Sequence, residues 1–202
     1  MIYSPQQRCG LFLAGASRLN AASKQGMRYV HNLSVRALKD AFEKGQGVRH
    51  AQLCCRLARQ GKTDLLSAIG HDVLGDDWLD FTYDSLSAYF KRSAGTVYVV
   101  STPAYPGLVK VGKTQRSVQE RLQSLNNESV VLPFVVNEAI RVHDRHWVEV
   151  CAHRALKAQG LHQQKEFFGT SSEHASAVIR QAVDADKRIF QSLGLYTLDS
   201  LL

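Results

Sequence analysis

The residues of this 202-residue chain best suited to chemistry lie in its second half. Glu149 stands inside the helical run Trp147-Val148-Glu149-Val150-Cys151-Ala152, where an acid beside an apolar stripe needs a partner. One divalent cation would supply it, since Mg²⁺ prefers oxygen ligands and often takes only one or two carboxylates. His146, Glu149 and His153 fall at i, i+3 and i+7 and share a helix face. That face could hold a transition metal, which imidazole suits, or be an ordinary polar surface. His153 alone could pass a proton or touch a phosphate, because histidine changes charge near neutral pH. Arg121 lies between Val118 and Leu122 at the border of an apolar helix side. From there an arginine can grip an anion bidentately, as a lysine cannot, or snorkel over the helix edge. Tyr98 sits in a β-rich stretch and is either a packing aromatic or a reactive hydroxyl. A phenol, with a reference pKa of about 10, works as a base only beside a cation. Lys110 could be such a cation or could itself contact an anion.

Local pattern predicts the elements that carry these groups. Residues 96–100 and 108–111 are rich in β-branched residues, and the loop between them holds Pro103, Pro106 and Gly107. They should pair as an antiparallel hairpin. Ser117-Val118-Gln119-Glu120 is a capping box that opens a helix over 117–126, with Val118, Leu122 and Leu125 on its inner side. Residues 130–140 form a third strand, which Pro133 confines to an edge or bends. Helices follow over 144–158 and 171–193. The order β-β-α-β-α-α predicts an α+β unit: a small three-stranded antiparallel sheet flanked by helices. Upstream, apolar residues recur at helical spacing in 34–44, 48–59, 63–70 and 76–89. The expected organisation is a mainly helical N-terminal domain over 1–92 and a second domain over 93–202.

Charge is distributed unevenly. The net charge is +7, and residues 1–62 hold eleven Lys or Arg against Asp40 and Glu43. Residues 63–90 hold six acids and no Lys or Arg. A basic N-terminal surface suits a polyanion such as DNA or RNA, or is a solvated face without a partner. The helices there could form a DNA-binding bundle or equally a scaffold. No apolar run is long enough for a membrane helix. Residues 9–16 have a faint signal-peptide look, but Arg18, Lys24 and Arg28 follow closely. Cys9, Cys54, Cys55 and Cys151 show no zinc-ligand spacing. These features predict a cytoplasmic protein with reduced cysteines.

Thr96-Val97-Tyr98 and Lys110-Val111-Gly112 are separated by eleven residues. Lys113-Thr114, the helical Arg121-Leu122 and the helical Glu149 follow in order. This arrangement resembles the GIY-YIG nuclease superfamily, with Tyr98 in the Gly-Ile-Tyr triplet and Lys110 opening the Tyr-Ile-Gly one. The lysine there, the Glu149…His153 spacing and a closing Glu166-Phe167-Phe168 are similar to one branch of it. That branch is named after a phage T5 open reading frame and is found in phage and mobile-element proteins. The resemblance spans residues 94–185. It implies a metal-dependent endonuclease that hydrolyses nucleic-acid phosphodiesters, DNA foremost. Tyr98, Lys110, Arg121, Glu149 and His153 would be catalytic, and Glu149 would hold Mg²⁺ or Mn²⁺. Lys113 and Arg116 would contact the nucleic acid. Phe167 and Phe168 would enter the core, with Glu166 bonding locally or supporting Arg121. Two departures, Lys110 for tyrosine and Leu125 where many members carry Tyr or His, leave open a non-catalytic binding module of the same fold. A structural or assembly protein is the third reading.

Overall fold

The computed structural model describes residues 33–69, 77–127 and 131–192; residues 9–16 lie outside this set. The described residues divide into two compact units. One holds those up to Tyr89 together with those from Lys187 on, and the other holds Phe90–Asp186.

The first unit is helical, as its periodicity requires. Helices α1 (Leu33–Glu43), α2 (Gly47–Arg59), α3 (Thr63–Ile69) and the start of α4 (Asp77–Ser93) build it. Val35, Leu38 and Ala41 of α1 are buried, as are Leu57, Leu66, Trp78 and Leu86. Gly61 ends α2 at φ +73°, where the missing Cβ makes a left-handed residue inexpensive. Its N–H donates to the Ala58 carbonyl at 2.9 Å and the next, of Lys62, to that of Leu57 at 3.0 Å. This is a Schellman ending, which satisfies the last carbonyls of the helix. His50 is fully buried, with Nε2 2.8 Å from the Thr82 hydroxyl and its ring 5.0 Å from that of Phe81.

The second unit is α+β. Its strands are β1 (Gly95–Ser101), β2 (Val109–Thr114), β3 (Val135–Val142), β4 (His162–Gln164) and β5 (Phe167–Phe168). Helix α5 (Val118–Leu125) follows β2, α6 (Arg145–Ala158) follows β3, and α7 (Ser172–Ser192) follows β5. The sheet has five antiparallel strands in the order β3-β1-β2-β5-β4, not the three expected. The added pair is too short and, in His162-Gln163-Gln164, too polar to carry a strand pattern. It forms because Phe168 and Phe167 pair with Val109 and Lys110. Strand β3 occupies an edge, but it begins at Val135, so Pro133 precedes the strand rather than lying within it as expected. Val97, Val99, Val109 and Val111 pack against Val148 and Ala152 of α6 and Ile179 of α7. On the opposite side α5 departs from expectation, for none of its residues is fully buried. An eight-residue helix leaves its apolar side only half covered. No described helix is long and apolar enough to cross a membrane.

Candidate active site at the edge of β2

Strand β2 organises the site because its alternate residues face opposite sides. Val109 and Val111 point into the core beneath α6 and α7, so Lys110 and Gly112 point toward α5. There Gly112 opposes Tyr98. A Cβ on Gly112 would stand 2.6 Å from the Tyr98 hydroxyl oxygen and 2.7 Å from Cζ. Only glycine lets the tyrosine ring lie across the strand. Tyr98 is 1% exposed, and Arg121 Nε donates to its hydroxyl at 3.1 Å. Arg121 reaches it from a helix fastened at both ends. At the start, the capping box joins Glu120 N–H to the Ser117 hydroxyl at 3.2 Å and Ser117 N–H to the Glu120 carboxylate at 3.0 Å. At the far end, the Asn126 amide donates to the Phe134 carbonyl at 2.9 Å and accepts from its N–H at 2.7 Å.

Lys110 is buried and its ammonium is bound by the Glu166 carboxylate. Burial alone would raise the Glu166 pKa, but the bond to Lys110 and its charge, with His153 and Lys113 adding, hold it below the ordinary value. Lys113 lies on the pleat of Val111, on the α6 side, and its ammonium binds the buried Glu149 carboxylate. One turn further along α6, His153 Nε2 donates to the Val111 carbonyl at 3.0 Å. A carbonyl only accepts, so Nε2 carries hydrogen and Nδ1 is the nitrogen left to take a proton. His146 is exposed; partial burial, then the charges of Lys113 and Arg145, lower its pKa.

The structure thus divides the candidate residues between two pleats. Tyr98, Lys110 and Arg121 lie on the α5 side; Lys113, Glu149 and His153 lie on the α6 side. Lys110, Lys113, Arg121 and His153 interact with one carboxylate, that of Glu166, at the strand's edge, whereas Tyr98 and Glu149 themselves stand on opposite sides of the sheet. Pairing of β5 with β2 ends at Lys110, with one more bond from Val111 N–H to the Glu166 carbonyl at 3.1 Å. Beyond it β2 is open, and the Glu166 carboxylate there interacts with Lys110, His153, Lys113 and Arg121. Beside this edge runs a groove of about 300 Å³ lined by Lys113, Thr114, Gln115, Arg116, Glu120, Arg121 and Ser124. Three cations face one acid there, which makes the groove suited to an anion. Arg116 is exposed, and its N–H donates to the Thr114 hydroxyl at 3.0 Å.

Two contributors had no local signal. Glu166, expected to bond locally or to support Arg121, does act on Arg121 through its charge, and its bonded partner is Lys110. Arg145 caps the end of α4, donating to the carbonyls of Arg92, Ser93 and Ala94 at 3.0, 2.9 and 3.0 Å. Its other nitrogen donates to the groove residue Gln115 at 3.2 Å.

No three His, Cys, Asp or Glu among the described residues gather as a metal-binding group. What the site does offer is one buried carboxylate, Glu149. That fits a hard divalent cation such as Mg²⁺, which completes its shell with water and phosphate oxygens. Such an ion would have to take the carboxylate from Lys113.

No curated protein and no solved structure matches the chain. Residues 95–183 match the family model of the T5orf172 domain.

Proposed function

We propose that residues 93–202 form a metal-dependent nuclease domain of the GIY-YIG type, acting on nucleic-acid phosphodiesters and foremost on DNA. One observation carries this reading: Arg121, bonded to a buried tyrosine hydroxyl, shares a cationic groove with Lys113 and Arg116, and Lys113 leads directly to a buried carboxylate. The T5orf172 match covers all of these residues.

In this reading Arg116 and Lys113 hold the backbone phosphates. The Arg121 donors not used on Tyr98 take oxygens of the scissile group. Tyr98, hydrogen-bonded to Arg121, orients the attacking water, and Lys110 offsets negative charge on the same side. His153 Nδ1 is the atom for proton transfer to the leaving oxygen. Mg²⁺ or Mn²⁺ held by Glu149 would supply Lewis-acid stabilisation of the phosphate. Residues 1–92 are assigned to nucleic-acid recognition on their basic charge. The reading carries with it a cytoplasmic location and a phage or mobile-element setting.

The test is incubation of the purified protein with single- and double-stranded DNA and RNA, in Mg²⁺ or Mn²⁺ against EDTA. Metal-dependent cleavage is expected. A second reading, a binding module without turnover, is favoured by one feature: Lys110 and Glu149 are each already neutralised by a partner. Salt-sensitive binding without cleavage on any substrate would select it.

A further inference from the structure

Across the α5 face of the sheet, Val136, Val100, Lys110 and Phe167 form one row of cross-strand partners. Phe167 therefore points to the same side as Lys110, whose ammonium lies 5.7 Å from its ring centre. Phe168, its neighbour, enters the opposite core. Around Phe167 stand two more aromatic rings. Tyr105, from the β1–β2 loop, meets it edge-on at 5.5 Å. Phe134 lies at 6.2 Å with its plane tilted by 37°, its backbone pinned by Asn126 at the end of the Arg121 helix. The cluster is open, for Phe134 and Phe167 are half-buried and Tyr105 is 51% exposed.

A folding role does not account for this arrangement. An aromatic ring that only closes a core is covered, whereas Tyr105 leaves half its surface in water. The two half-covered rings stand next to a buried ammonium and on the same face as Arg121. A cationic groove combined with solvent-facing aromatic rings is the usual means of holding an unpaired base while its phosphates are bound. In a regular duplex the bases are stacked and their faces are closed to such a surface.

Resting on the nuclease reading, we propose that Tyr105, Phe134 and Phe167 form a stacking platform for one unpaired nucleobase. The favoured substrate is accordingly single-stranded nucleic acid, or a duplex with a flap or an unpaired base, with its backbone in the Lys113–Arg116–Arg121 groove.

The experiment measures binding of the full chain in EDTA, so that cleavage does not intervene. Oligonucleotides carrying 2-aminopurine are used as a single strand, as a flapped duplex and as a perfect duplex. The wild type is expected to bind the first two more tightly and to quench their fluorescence. Tyr105→Leu should weaken both by about tenfold, within the range one stacked base supplies, and abolish the quenching. Tyr105→Phe, which keeps the ring, should restore both, and melting curves of the two variants should match the wild type. Preference for the perfect duplex, or unchanged affinity and quenching in Tyr105→Leu, would overturn the platform. Cleavage in Mg²⁺ with no effect of Tyr105→Leu would leave the nuclease reading standing. Binding with quenching but without cleavage would keep the platform and remove the nuclease. Binding to none of the oligonucleotides would remove both.

Discussion

The two units bury ionisable groups by opposite means. In the helical unit buried His50 is kept neutral against the Thr82 hydroxyl and aromatic rings, and burial pushes the Cys54 thiol up. That unit's charges, such as Asp40 with Lys44 and Arg49, stay on the surface. In the α+β unit Lys110, Glu149, His143 and Asp186 are all buried, each beside an oppositely charged or chargeable partner. Desolvating charge costs several kcal/mol per ion and is recovered only with good pairing, so such pairs are poor devices for stability. Their presence beside a cationic groove sets the α+β unit apart from the helical one. Burial of charge alone is not the marker: His143 and Asp186, 2.9 Å apart, have no part in the proposed reaction. Convergence on one strand edge distinguishes Lys110, Lys113, Glu149 and Glu166.

The largest expected effect tests the chemical side of this contrast. Glu149→Ala should lower cleavage at least about a thousandfold, the loss expected when charge stabilisation in the transition state is removed. Affinity for the oligonucleotide should hold or rise slightly, since a negative charge near phosphate has gone. Cleavage gels and fluorescence anisotropy on a variant with unchanged ellipticity would check both. Full activity in that folded variant removes Glu149 from the site.

Next comes the neutral histidine. Burial pushes the His50 pKa down to about 4 from 6.5, with the Leu38 carbonyl opposing the shift. As pH falls below 6.5 the unfolded chain takes the proton first. The stabilisation is therefore complete above pH 6.5 and is lost between 6.5 and 4, by about 3 kcal/mol over that window. Urea titrations across this range should show the decline. In His50→Leu the slope should flatten, and an unchanged slope would mean that another group carries the acid sensitivity.

A smaller effect is expected from Lys113→Met, which leaves the Glu149 carboxylate buried without its bonded partner. Loss of unfolding free energy should be about 2 kcal/mol, less than for a wholly buried pair because Lys113 is partly exposed. The matched substitution in the helical unit, Lys44→Met, breaks a surface pair with Asp40. It should leave the melting temperature unchanged within error, as exposed pairs contribute little. Equal effects in the two variants would dissolve the distinction between the units.

What the sequence determined by itself is local. The 3.6-residue recurrence of apolar residues specified α1, α2 and α6. The β-branched runs at 96–100 and 108–111 specified the hairpin, and Ser117 with Glu120 specified where α5 begins. Each depends on residues a few positions apart, so the pattern and the interaction lie in the same stretch of chain. The tertiary structure decided the rest. Lys110 and Glu166 are 56 residues apart and Lys113 and Glu149 are 36 apart, and no spacing rule pairs them. The two-residue β5 has no periodicity to read and forms by pairing with β2 and β4. Its brevity in turn leaves the rest of that edge open. The division of Tyr98 and Glu149 between two pleats follows from strand alternation, and the gathering of Lys110, Lys113, Arg121 and His153 around Glu166 follows from where β5 stops. Backbone pairing across a sheet sets that end point, and local residue patterns do not record it.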